Sequence, residues 1–247
     1  IIRICTNKTN VNSNEWNNAE KPQLTIPRVI GSLSFYNADN LEIMRGFADN
    51  EFDLAIVDPP YGIGASAKTF INRTSKSKKD YYKDNCWDKE IPKPEYFEQL
   101  FRISKNQIIW GGNYFTDFLK PSRCWIFWDK TIHGNSYADG ELAWTSFDRV
   151  VRYYRKNICQ VEVEGERIHP TQKTIHLYDW ILRNYCEPNS KILDTHLGSG
   201  SIAIAIEKAN RLDKMNLQFV GIEIDKEYFE KALNRIEQYC RQGTLSF

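Results

Sequence analysis

The sequence predicts an α/β fold, a mostly parallel sheet with helices on both faces. Two observations carry this. From residue 32 onward, apolar runs of strand length alternate with stretches of helical apolar period. Two of those runs end in special turns, Asp58-Pro59-Pro60-Tyr61 and Gly198-Ser199-Gly200, where open parallel sheets hold their ligands. A length of 247 residues fits one large domain.

The elements follow in order. Residues 1–28, rich in Asn, Lys and Thr, read as a flexible arm or an edge segment. Residues 32–37 read as a short strand, 41–48 as a helix and 52–57 as a buried strand ending at Asp58. Residues 94–103 read as a helix, 107–110 as a strand closed by Gly111-Gly112, and 124–128 and 149–154 as further strands. A helix over 174–186 leads into a strand at 191–193. The chain closes with a helix over 201–210, a strand over 218–222 and a helix over 227–240. The domain expected is therefore residues 29–247, with small inserted loops at 65–90 and 131–165.

Composition excludes several classes. No apolar run reaches a membrane span and no signal-peptide pattern opens the chain, so no membrane contact is expected, and the scattered cysteines read as reduced thiols of a cytoplasmic protein. Ile1 opens it without a methionine, which leaves open what precedes it. The six cysteines form no Cys-x-x-Cys pair and the four histidines no ligand spacing, so neither a disulfide framework nor a metal site is expected. The net charge of +1 gives no general argument for nucleic acid. One stretch is locally basic: Lys68, Arg73, Lys76, Lys78, Lys79 and Lys83 stand against a single Asp80. Such a run is either a solvated loop or a surface for phosphates.

Two motifs carry chemistry. In Asp58-Pro59-Pro60-Tyr61, successive prolines stiffen the turn and remove two N–H donors while keeping their carbonyls. The Asp58 carboxylate and Pro59 carbonyl then form an acceptor array suited to an NH2 group, and Tyr61 could stack on the ring bearing it. In Asp194-Thr195-His196-Leu197-Gly198-Ser199-Gly200, two glycines let the backbone approach a ligand. Glu223, at the end of the next strand, suits the paired hydroxyls of a ribose. A third glycine at dehydrogenase spacing and a P-loop lysine are both missing.

This combination resembles the amino-group DNA methyltransferases. With the catalytic motif ahead of the cofactor motif, it is similar to their β class. His169-Pro170-Thr171-Gln172-Lys173, Trp110-Gly111-Gly112-Asn113-Tyr114-Phe115 and Trp128-Asp129-Lys130 resemble further family segments. The resemblance implies a Rossmann-like methyltransferase fold of seven strands, one antiparallel, in circularly permuted order. It implies S-adenosylmethionine as cofactor, with Asp39, Lys173, Asp194, His196, Gly198, Ser199, Gly200 and Glu223 on its side of the site; for Asp39, which precedes the 41–48 helix, the alternative is a helix N-cap. Asp58, Pro59, Pro60 and Tyr61 would be catalytic, double-stranded DNA the partner, and the basic stretch a DNA contact; a homodimer is left open. The expected reaction is methyl transfer to an exocyclic amine, adenine N6 ahead of cytosine N4. Cytosine C5 chemistry would need a Pro-Cys dipeptide, which is absent. A non-catalytic nucleic-acid-binding module with the same fold is the rival from another class. The chain departs from the family at Thr195-His196, where Pro-Phe is common, and at Thr174, where Pro is common.

Overall fold

The structure is a computed structural model describing residues 26–64, 88–131, 138–156, 168–169 and 171–244. Most of the expected arm and all six basic residues of the 65–87 stretch lie outside the described residues.

Among the described residues, nine strands form one mixed sheet: β1 (Arg28–Ile30), β2 (Leu33–Asn37), β3 (Phe52–Val57), β4 (Ser104–Trp110), β5 (Trp125–Asp129), β6 (Gly140–Thr145), β7 (Arg152–Arg155), β8 (Lys191–Asp194) and β9 (Gln218–Glu223). Their spatial order is β1-β2-β9-β8-β3-β4-β6-β5-β7. From β2 to β4 every neighbour is parallel, whereas β6 runs antiparallel to both β4 and β5. The stretch from β2 to β5 is thus seven strands with one reversed. The expectation of seven falls short because β1 adds antiparallel to β2 and β7 adds parallel to β5, one at each edge. Arg28, assigned to the arm, opens β1 and pairs with Glu230 at 2.8 Å. The 131–165 segment, expected to hold an inserted loop and the strand at 149–154, contains β6 as well, while β7 answers the expected strand.

Side chains alternate across β3 as a two-residue period requires. Leu54 and Ile56 join the core under α3 (Ile175–Tyr185), α4 (Ser201–Leu212) and α5 (Lys226–Thr244). Ala55 and Val57 join the opposite core, under α1 (Asn40–Arg45) and α2 (Pro94–Ile103); Phe52, the first residue of the strand, also packs there and stands outside the alternation. The second core is closed by Met44 of α1 and by Tyr96, Phe97, Leu100 and Ile103 of α2, all buried. Each such large apolar side chain contributes about 1.5–3 kcal/mol by leaving water. No helix among the described residues is long and apolar enough to cross a membrane.

Helix starts obey local chemistry. Asp39 caps α1 through Glu42 N at 3.1 Å, and Pro94 starts α2 where its missing N–H costs nothing. Thr174 caps α3 through Leu177 N at 3.1 Å. A hydroxyl cap thus serves the helix start at Thr174.

Candidate active site

The carboxyl ends of β2, β9, β8 and β3 converge on a cavity of about 440 Å³, a volume suited to a nucleotide-sized ligand. The strand ending at Asp58 lies beside the strand ending at Asp194, with Leu54 opposite Ile192 and Ala55 opposite Leu193. Both sequence motifs therefore reach one place. Of the residues expected there, Asp39, Asp58, Pro60, Lys173, His196, Gly198, Ser199 and Glu223 line the cavity.

Four expected residues stand elsewhere. Asp194 is buried beneath the turn, its Oδ1 accepting from His196 N at 2.9 Å. Gly200 has φ +70° at the head of α4, and a Cβ there would come within 2.9 Å of Ile236 on α5. It serves the turn and helix packing rather than the cavity wall. Pro59 is buried. Tyr61 turns its hydroxyl to Asp58 Oδ1 at 2.6 Å, with its ring stacked on Tyr114 at 5.0 Å between centroids. Gly111, at φ +68°, has room for no side chain, since a Cβ would sit 2.2 Å from the Tyr61 ring. The Tyr61 ring is thus already in contact on the Tyr114 side, and Tyr114 is the more exposed of the pair.

At one end of the cavity, the Glu223 carboxylate is fixed by two backbone donors, Gly198 N at 2.8 Å to Oε2 and Asp225 N at 3.0 Å to Oε1. Burial nevertheless pushes it above the usual carboxylate range, against those N–H bonds. Each oxygen keeps a lone pair for a further donor. Beside it, Ile224 is 68% exposed and gives an apolar contact.

In the middle, burial takes the His196 imidazole down to about 3, so it is neutral. Its Nδ1 meets Thr195 Oγ1 at 2.9 Å and its Nε2 meets Asn40 Nδ2 at 3.1 Å, while Thr195 Oγ1 also meets Tyr96 Oη at 2.7 Å. The polar pair Thr195-His196 is accommodated because Asn40 and Tyr96 satisfy it. Gln172 is also buried on this wall; its Oε1 accepts from Ile168 N at 3.1 Å, and its Nε2 has no partner among the described residues.

At the other end, Lys173, expected on the cofactor side, donates to Asp58 Oδ2 at 2.5 Å and lies 3.1 Å from Glu141 Oε2. Burial alone would lower the Lys173 ammonium, but the two carboxylates outweigh it and raise it. Burial pushes Asp58 up, Lys173 pulls it back and Glu141 adds to the rise; the net direction is up. Glu141 follows the opposite course: Lys173 and Lys130 overcome burial and take it down to about 2. Asp88 braces the turn from beneath, its Oδ1 accepting from Tyr61 N at 2.7 Å and Gly62 N at 3.0 Å.

Sequence reasoning missed Glu141, Asp88, Tyr96 and Gln172 as site members. Gln172 sat in a motif already quoted, and that was its signal. Glu141, Asp88 and Tyr96 carry no motif and reach the site only through tertiary pairing.

Together, fold and site define an α/β protein with a nucleotide-sized cavity opening on a carboxylate that can accept from an amine. The chain belongs to the N6/N4 DNA methylase family, whose profile matches residues 68–234, more than half of its length and beginning after Tyr61. Among curated proteins it is similar to the type II methyltransferase M.HpaI of Haemophilus parainfluenzae, 23% identical over 80% of this chain and 72% of that protein. It is also similar to the type II methyltransferase M2.MboI of Moraxella bovis, 24% identical over 84% of this chain and 88% of that one. Among solved structures, M1.HpyAVI in complex with SAM aligns with a TM-score of 0.54 at 21% identity, covering 83% of this chain and 98% of that chain. The cytosine-N4-specific PvuII DNA methyltransferase aligns with a TM-score of 0.53 at 12% identity, covering 85% and 90%. Both likenesses support the fold. The family's cofactor is S-adenosylmethionine, and the cavity's chemistry fits it: an oriented acid for a diol, the apolar Ile224 side chain beside it for a purine, and the Gln172 amide, without a partner among the described residues, as a donor.

Proposed function

We propose that the chain is a site-specific DNA methyltransferase acting on adenine N6 of a base turned out of the duplex. The observation that carries this reading is Asp58, a carboxylate on the cavity wall at the end of a rigid Pro-Pro turn. Family members acting on cytosine N4 more often have serine at this position, which favours adenine.

The amine of adenine is a weak nucleophile because its lone pair is delocalised into the ring. Hydrogen bonds from its N–H groups to Asp58 and to the Pro59 carbonyl turn the nitrogen toward tetrahedral geometry. This is positioning with preorganised acceptors, and no covalent enzyme intermediate is needed. S-adenosylmethionine, when bound, supplies the electrophilic methyl group. Glu223 holds its ribose, Gly198 and Ser199 border it closely, and Asp39, His196 and Gln172 line its path. The turned-out base meets aromatic surface at Tyr114 and Tyr61, and stacking there recovers about 1–3 kcal/mol of the cost of leaving the helix. Lys68, Arg73, Lys76, Lys78, Lys79 and Lys83 meet DNA phosphates, which position the duplex without reading its sequence.

Digesting unmethylated genomic DNA after incubation with the protein and S-adenosylmethionine, then separating nucleosides by mass, tests the reading. N6-methyldeoxyadenosine is the expected product. N4-methyldeoxycytidine would move the target to cytosine, and no methylated nucleoside would favour the non-catalytic module.

Glu223→Ala tests the cofactor side. It removes an acceptor for two hydroxyls, and hydrogen bonds to charged groups contribute about 1.5–3 kcal/mol. Calorimetry should show S-adenosylhomocysteine affinity falling about 10–100-fold, with DNA affinity little changed. Unaltered cofactor affinity would remove Glu223 from the ribose.

A further inference from the structure

Both oxygens of Asp58 already hold a donor in this structure. Tyr61 Oη donates to Oδ1 and Lys173 Nζ to Oδ2, so an incoming amine must either crowd onto a remaining lone pair beside a donor or displace that donor. Tyr61 is the less movable of the two. Its ring is stacked on Tyr114 and lies against Gly111, and its backbone N–H is held by Asp88. Lys173 has somewhere to go.

That place is Glu141, near the start of β6. Because β6 is reversed relative to β4, its opening residues reach the same sheet edge as the closing residues of β3 and β8. Glu141 Oε1 pairs with Lys130, which ends at the same edge beyond β5. Its Oε2 is buried and lies 3.1 Å from Lys173 Nζ, yet it makes no aligned hydrogen bond among the described residues. The Lys173 side chain is only 3% exposed, and its ammonium lies 5.1 Å from the centre of the Trp110 ring. Were it to leave Asp58 with no second carboxylate, a buried ammonium would stand uncompensated, which is costly in a dry site.

We propose that Glu141 is a positioning residue for the transfer, the second station of the Lys173 ammonium. As the amine takes Asp58 Oδ2, Lys173 rotates its hydrogen bond to Glu141 Oε2. Only hydrogen bonds change partners, and Lys173 keeps its proton. The two carboxylates and the ammoniums of Lys173 and Lys130 stay mutually compensated throughout. This inference rests on Asp58 as the amine acceptor. It adds a residue on a strand that carries none of the recognised motifs.

The test uses the full chain, tritiated S-adenosylmethionine and unmethylated genomic DNA at varied concentration. Glu141→Gln should lower kcat about tenfold or more, the rate equivalent of one pKa unit of charge interaction. S-adenosylhomocysteine affinity should stay within about twofold, since Glu141 is absent from the cavity wall. Glu141→Asp, which keeps a carboxylate within reach of a flexible lysine, should restore part of kcat. In a Lys173→Met background, Glu141→Gln should cost nothing further, because the pair acts as a unit. Wild-type kcat for Glu141→Gln, or an equal loss in both backgrounds, would overturn the proposal. If Glu141→Gln does not fold, Glu141→Asp decides: a lower kcat at unchanged cofactor affinity supports it, and unchanged kcat overturns it. Asp58→Ala in the same assay separates the two readings. If that variant stays active, the assignment of Asp58 has failed; if it is dead while Glu141→Gln is normal, only this inference has.

Discussion

Asp58→Ala is expected to lower methyl transfer by at least about 10²–10³-fold, the loss typical when one preorganised polar partner is removed from a reacting centre. Cofactor affinity should change little. Asp58 does stand on the cavity wall, but its two oxygens face Tyr61 and Lys173 rather than the Glu223 end. The variant should fold, because the buried Lys173 ammonium keeps Glu141 as a counter-charge. Single-turnover transfer measured beside S-adenosylhomocysteine calorimetry checks both halves. A parallel loss of cofactor affinity, as large as that from Glu223→Ala, would put Asp58 on the donor's side of the site. Asp58→Asn refines the result, since it keeps one acceptor oxygen and removes the charge. Activity well above that of the alanine variant would mean that acceptor geometry matters more than charge.

The strand ends that build the site were legible in the sequence for a physical reason. A parallel strand that delivers a ligand must be followed by a turn of unusual backbone, and such turns need Pro or Gly. Asp58-Pro59-Pro60 and Gly198-Ser199-Gly200 therefore announce themselves, and the strands before them are buried on both faces and read as continuous apolar runs. β6 had no such signature. Gly140-Glu141-Leu142 is partly exposed, only Ala143-Trp144-Thr145 is buried, and the short apolar run was absorbed into a presumed loop. β1 is three residues at an edge, too short for a two-residue period to register. The partners of Asp58 were hidden differently. Lys173 was read from its motif as a cofactor residue, because nothing in a linear sequence reports a contact across 115 positions. Asp194 was likewise read as a ligand contact, whereas its carboxyl shapes the turn from below.

The buried Asp194 carboxyl leads to the second large effect. Burial pushes it up to about 8; the His196 N–H pulls against that, and the neighbouring charges of Asp58 and Glu223 add to it, with Lys173 opposing. In the unfolded chain the same group titrates near 3.9. Between those values the folded state holds a proton that the unfolded state has released, so stability falls as pH rises from about 4 to about 8. The contribution is complete below the unfolded value and lost above the folded one, the reverse of a salt-bridged aspartate. Asp194→Asn removes the titration and keeps an oxygen for His196 N. Relative to the parent chain without cofactor, the variant should gain stability steadily as pH climbs, by roughly 2–4 kcal/mol at pH 8. In a chain of this size that is a Tm rise on the order of 5–10 °C. Near pH 4 the two proteins should melt together. Urea unfolding of both at four or five pH values measures the difference directly. A constant difference across that range would mean that Asp194 is ionised in the folded protein, with its burial compensated by Lys173. A stabilised variant at pH 8 would instead mark the ionisable acid as a feature retained at a cost to the empty protein, as expected where stability yields to function.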